Sequence, residues 1–167
     1  MTRPVVNVSA RGGHPSGGWD DPRRGVTTAF ARHLRSGVRS SADALAYLRR
    51  HDVPLEHARL LLRDATRRGA LDDRACARLW AEHWARQGYA NAAIRARLDA
   101  KALPSSAIDD AIARLSQGED DELSRARRLV SARRRRGRPP ARLAQALAAR
   151  GFEPELIERL LDATAIS

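Results

Sequence analysis

A spacing of 49 to 50 residues, carried along the chain three times, limits the fold more than any other property of this sequence. Ile94 and Leu98 are matched by Leu143 and Leu147, Leu103 by Phe152, Ile108 by Ile157, and Gly88 by Gly137, each 49 residues later. Asp72–Asp73 are matched by Asp120–Asp121 at 48, which implies one loop that differs by a residue. Upstream, Leu48, Val53, Ala58 and Leu62 precede Leu98, Leu103, Ile108 and Ile112 by 50. Recurrence at this period means one short supersecondary unit copied in tandem, each copy burying its apolar face partly against its neighbours.

Within a copy the apolar positions fall at helical spacing. Asp72 and Asp73 sit where an N-cap and a first-turn acid belong, and Ala77, Trp80, Ala81 and Trp84 share one face of the helix they open. Gly88 stops that helix after the basic Arg86, and Ile94 and Leu98 lie one turn apart on the next. Helical character begins near Thr27. Ser40 or Ser41 caps a helix with Leu45, Tyr47 and Leu48; Val53-Pro54 breaks it, and a helix follows from Leu55 to Arg68. Ser105 or Ser106 caps a helix carrying Ile108, Ile112 and Leu115. Asp120–Glu122 open another, which ends in Arg133–Arg136, Gly137 and Arg138. Pro139-Pro140 open the next helix, with Leu143 and Leu147 inward, and Glu153–Leu161 form the last. Few aromatics and abundant Ala, Leu and Arg agree with helices rather than strands. The expected fold is all-α, an elongated, curved array of tandem three-helix repeats. The repeats run roughly over 27–88, 89–137 and 138–167, the third truncated after its second helix. Residues 1–26, rich in Gly and Pro and including Trp19, are expected to be a disordered tail.

The net charge is +11, and Lys101 is the single lysine among 31 basic residues. Such an excess of arginine suits a polyanionic partner, either nucleic acid or an acidic protein surface, although solubility and arginine-rich codon usage also produce it. With one cysteine, Cys76, no intramolecular disulfide is available, and its apolar helix position makes it a small core residue. No apolar run is long enough to span a membrane and no secretory h-region follows Met1, so a soluble, cytoplasmic protein is expected.

Leu71-Asp72-Asp73, Ala77, Trp80, Arg86, Gly88-Tyr89, Ile94, Leu98, Lys101 and Leu103 together resemble the pattern of the RecX regulatory proteins. In that pattern an acidic pair opens a helix, a basic-glycine turn follows, and a second helix ends in lysine and an apolar residue. The resemblance extends from about Thr27 to the C-terminus. Four positions depart from it: Cys76 stands where an aromatic is usual, Trp84 where a basic residue is frequent, Asn91 for proline, and Ala102 for glycine. The resemblance implies a regulator, not an enzyme. It would bind the RecA recombinase and its filament on single-stranded DNA, and restrain filament assembly, ATP hydrolysis, strand exchange and co-protease action. It implies no cofactor. The alternative from the residues themselves is a basic helical nucleic-acid-binding protein with no recombinase partner.

Arg133, Arg134, Arg135, Arg136 and Arg138 are the strongest local charge feature. Consecutive helical residues point about 100° apart, so they ring the helix end. They serve either as helix C-terminal stabilisation and solvation or as contacts to phosphate or an acidic groove, which Arg142 would extend. Arg86, Arg95 and Arg97 occupy the corresponding turn and helix of the preceding copy, with Lys101 at that helix's end. Tyr89, in the turn, is open equally to packing on the core and to stacking on a base beside arginine, whereas Trp80 and Trp84 have core spacing. His51 and His57 are six apart with Pro54 between them, which is not a metal-ligand spacing. The glycines Gly12, Gly13, Gly17 and Gly18 precede no Gly-Lys-Ser/Thr, so no phosphate loop is present. No arrangement of residues supports nucleophilic or acid–base catalysis.

Overall fold

The computed structural model describes residues 22–165. Among these it contains nine helices and no strand. They are α1 (Pro22–Arg35), α2 (Ser41–Arg50), α3 (Leu55–Arg67), α4 (Asp73–Arg86), α5 (Asn91–Ala100), α6 (Ser105–Gln117), α7 (Glu122–Arg134), α8 (Pro140–Ala148) and α9 (Pro154–Ala165). The expected tail, residues 1–26 with Trp19, lies outside the described residues except for its last five, which form the start of α1.

Three clusters of buried side chains divide these helices into consecutive triplets. Phe30, Ala44, Leu48, Val53, Ala58, Ala65 and Leu71 form the core of α1–α3. Cys76, Ala77, Ala81, Ala85, Ile94, Leu98, Leu103, Ala107, Ile108 and Ala111 form that of α4–α6. Ala126, Val130, Leu143, Leu147, Phe152, Ile157 and Leu160 form that of α7–α9, joined by Ala90 from the start of α5. The cores therefore change at α4 and α7, whereas the boundaries expected at residues 89 and 138 fall one helix later. The last triplet holds three helices and is not cut short after two. Trp80 and Trp84 are half-buried at the edge of the middle core, while Ala77 and Ala81 on the same helix fill its interior.

The caps explain the period. Asp72 accepts from the Ala75 backbone N–H at 2.9 Å and Asp121 from that of Ser124 at 2.7 Å. These N-caps are 49 residues apart, so the pairing of Asp72–Asp73 is with Asp121–Glu122 and no loop changes length there. Ser40 caps α2 in a reciprocal box with Asp43. The serines expected to cap α6 lie inside its first turn. Pro104 holds the cap position, its extended backbone (φ −59°, ψ 137°) aiming its carbonyl at Ile108 N–H at 3.1 Å.

At the far ends of α2, α5 and α8 one turn is built three times. Val53, Leu103 and Phe152 donate back to the carbonyls of Leu48, Leu98 and Leu147, while Asp52, Ala102 and Gly151 donate to those of Arg49, Asp99 and Ala148. This is the Schellman arrangement, with an apolar contact between the last helical residue pair and the residue after the turn. Its central residue takes the left-handed conformation in every copy: Asp52 at φ 54°, Ala102 at 52° and Gly151 at 81°. The matched Leu48/Val53, Leu98/Leu103 and Leu147/Phe152 pairs are the apolar locks of this turn.

Neighbouring triplets are joined through the start of the middle helix. Ser41 N–H donates to Asp73 Oδ1 at 2.8 Å, and fifty residues on Asn91 N–H donates to Glu122 Oε1 at 3.3 Å. Otherwise the two junctions differ. Cys76 and Arg125 occupy corresponding places on α4 and α7, 49 apart, and both are buried. Arg125 is fully enclosed. Its Nη1 donates to the Asp120 carbonyl at 2.8 Å and its Nη2 to Asn91 Oδ1. Burial pulls its pKa down, opposed by the charges of Asp120, Glu122 and Asp121.

Candidate partner and nucleic-acid interface

The α4–α5 turn and the α8–α9 turn meet at the second junction. Gly88 (φ 81°) lets the chain turn back after α4, and Ala90 N–H then donates to the Arg150 carbonyl at 3.0 Å. The Arg150 side chain runs along this turn, with Nε 3.4 Å from the Gln87 carbonyl. Its guanidinium carbon lies 5.8 Å from the centre of the Tyr89 ring, and that of Arg97, on α5, lies 4.0 Å from the same ring. Tyr89 is half-buried, packed in part against the middle core. One turn further along α5, Lys101 Nζ sits 4.1 Å from the Trp80 ring, which in turn stacks on Trp84 at 5.4 Å. Arg97 and Lys101, four residues apart, are neighbours on the helix surface. Arg97 on α5 and Lys101 at its end thus each lie over an aromatic ring, and Arg150 of the next triplet approaches the first of these rings.

Arg133, near the end of α7, is half-buried. Its pKa is lowered by burial first and then by the charges of Arg150, Arg136 and Arg138. Arg134, Arg135, Arg136 and Arg138 are exposed around Gly137, and Arg142 donates to Gln145 Oε1 at 3.3 Å. Among the described residues, no carboxylate lies within ion-pair distance of Arg97, Arg133, Arg134, Arg135, Arg136, Arg138, Arg142 or Arg150.

Two of the expected residues are engaged elsewhere. Arg86 faces Glu82 on its own helix at 3.8 Å, and Arg95 pairs with Asp109 of α6 at 2.7 Å. The structure therefore brings together Tyr89 and Arg97 and places Lys101 one turn away, while Arg133 lies near enough to Arg150 to feel its charge. It gives Arg86 and Arg95 local partners, and adds Arg150, which is not among the residues expected from the sequence. The signal for Arg150 was present, since it stands 49 residues after Lys101 and also carries its charge beside an aromatic ring. Among the described residues no group of three or more His, Cys, Asp or Glu converges on a metal position, and no helix is long and apolar enough to cross a membrane.

No protein-family profile matches this chain, and no curated protein matches it significantly in sequence. Solved structures do match in fold. A crystal structure of a regulatory protein RecX superimposes with a TM-score of 0.70 at 23% identity, covering 85% of this chain and 74% of the other. RecX from Lactobacillus salivarius superimposes with a TM-score of 0.74 at 15% identity, covering 88% of this chain and 99% of the other. At these identities the likeness establishes a shared fold across most of both chains.

Proposed function

We propose that this chain is a RecX-type regulator of the RecA recombinase. It binds the recombinase and its nucleoprotein filament on single-stranded DNA and restrains filament assembly, ATP hydrolysis, strand exchange and co-protease activity. The observation that carries this reading is the shared fold over 85% and 88% of the chain with two RecX structures. The motif from Leu71 to Leu103 supports it independently, because its acidic pair, basic-glycine turn and Lys101 occupy the cap, turn and helix-end positions of the middle triplet. Action is stoichiometric. Tandem helix triplets with unpaired arginines offer repeated contacts to a polymer whose subunits and charges also repeat, and linked contacts raise avidity without new chemistry. Tyr89, Arg97, Lys101, Arg133, Arg134, Arg135, Arg136, Arg138 and Arg142 are the contact candidates, with Arg86 and Arg95 secondary because each already has a carboxylate.

The second reading, a basic nucleic-acid-binding protein with no recombinase partner, is favoured by the run of arginines without acidic neighbours. ATP hydrolysis by the host recombinase on single-stranded DNA separates the two. A fall in the steady-state rate at stoichiometric amounts of this protein is expected. An unchanged rate at several-fold excess, together with ordinary binding to naked DNA, would leave the second reading standing.

A further inference from the structure

The triplet junction and the cation–aromatic cluster occupy the same place. Tyr89 and Arg97 belong to the middle triplet, while Arg133 and Arg150 belong to the last, so the cluster exists only while the two triplets keep their relative position. We propose that Tyr89, Arg97, Arg133 and Arg150 form one phosphate-binding face for single-stranded nucleic acid, assembled across this junction, and that the buried Arg125 is the residue that positions it. The proposal deepens the reading above by naming the ligand of the candidate interface, and it rests on that reading only for its biological setting.

Three observations point to this ligand. First, no carboxylate among the described residues lies within ion-pair distance of Arg97, Arg133 or Arg150, so an arriving anion meets their charges without a competing acid. Glu122, the carboxylate bonded at this junction, accepts the Asn91 backbone N–H. Second, the Arg97 guanidinium lies over the Tyr89 ring, and a guanidinium plane held in this way is itself a surface on which an unstacked base stacks while the charge meets the phosphate. An acidic protein segment would use the charges and leave that surface idle. Third, Arg125 ties the start of α5 to the turn before α7 through Asn91 and Asp120. The corresponding place at the first junction holds Cys76, which makes no such tie, and Tyr89 begins two residues before Asn91. An enclosed guanidinium is a costly way to join two helices, since apolar side chains of equal volume serve stability as well or better. What it adds is direction, because its planar donors accept only one placement of Asn91 and Asp120.

The test is fluorescence anisotropy of a labelled 20-nucleotide oligo-dT with the full chain, over a range of salt. Tight, salt-sensitive binding is expected. Arg150→Gln and Arg97→Gln should each weaken it about tenfold or more and flatten the log–log salt slope by about 0.7, one phosphate's worth on a single strand. Arg59→Gln and Arg67→Gln, on α3, should change affinity less than twofold. Equal losses from the α3 variants, or no oligo-dT binding by the parent, would overturn the phosphate-binding face while leaving the recombinase assay free to succeed. Competition by poly-glutamate as effective as by oligo-dT at equal charge would assign the face to an acidic protein and overturn the ligand. Arg125→Met should keep helicity and melting temperature but lose affinity as Arg150→Gln does. Asn91→Ala, which removes the acceptor and leaves the buried arginine in place, should move affinity in the same direction. Spin labels on α6 and α9 supply a readout independent of binding: both variants should broaden the distance distribution. Unaltered affinity and distances in both would refute the positioning role.

Discussion

Replacing Gly151 by alanine tests the repeated helix-end turn and the second junction at once. At φ 81° an L-residue pays about 1–2 kcal/mol that glycine does not. The added Cβ would also lie 2.8 Å from Ala93 Cβ on α5, closer than carbon atoms tolerate. Forcing such a contact in packed surroundings costs about 1–3 kcal/mol. Loss of freedom in the unfolded chain returns about 0.4–1 kcal/mol. The expected net destabilisation is about 2–4 kcal/mol. The reverse change at the equivalent place, Ala102→Gly at φ 52°, should stabilise by about 0.5–1 kcal/mol because strain is relieved with no steric gain or loss. Urea unfolding followed by circular dichroism at 222 nm measures both. Adding Ala93→Gly to Gly151→Ala separates the terms, since it removes the clash and leaves the backbone strain; a double-mutant cycle should return a coupling of about 1–3 kcal/mol. A cost below about 1 kcal/mol for Gly151→Ala, or no coupling to Ala93, would refute the close approach of the two turns.

Further expectations concern the cores and caps. Leu98→Ala, at a side chain with no exposed surface, should cost about 2–5 kcal/mol in the same unfolding assay. Ser40→Ala removes a buried cap and should cost about 1–2 kcal/mol, visible as a lower urea midpoint with an unchanged slope. Arg125→Ala should fall below Arg125→Met in stability by about 2–5 kcal/mol, because both lose the donor to Asn91 and the Asp120 carbonyl but alanine also leaves a cavity at an enclosed site. His33 stacks on Tyr47 at 3.9 Å, and its pKa is lowered by burial and by Arg39, Arg50 and His51, against Asp43. The unfolded chain therefore binds the proton more readily. The contribution of His33 is complete above the ordinary histidine pKa of about 6.5 and is lost as the pH falls through the lower folded value. Melting curves from pH 7.5 to 5 should show this loss, and His33→Phe should lessen it.

Much of the fold is legible in the sequence because the repeat marks mechanical positions. Leu48, Leu98 and Leu147 recur with Val53, Leu103 and Phe152 because each pair closes the same turn. The phase is another matter. A tandem array has the same period wherever it is cut, and only the membership of the cores shows that the triplets begin at α1, α4 and α7. Arg125 was hidden for a different reason: hydropathy assigns arginine to solvent, and its enclosure depends on Asn91 and the Asp120 carbonyl arriving from other elements. Trp80 and Trp84 had the spacing of core residues yet stop half-way, since small alanines already fill the interior of α4 and the rings remain at its margin under Lys101. Arg86 and Arg95 look like free charges in sequence because their carboxylates, Glu82 and Asp109, are matched to them by helix geometry and by packing between α5 and α6. Arg150 is the instructive omission, because the 49-residue offset from Lys101 points straight to it.

The enclosed thiol of Cys76 gives this molecule a built-in clock. Burial raises the thiol's pKa as well as hiding it from solvent, so an alkylating reagent reaches it only in moments when the surrounding helices part. As the chain's lone sulfhydryl, it makes the labelling rate a count of those partings, readable without any added probe. A variant that loosens only the far end of the array would leave that rate unchanged, and one that loosens the middle would quicken it.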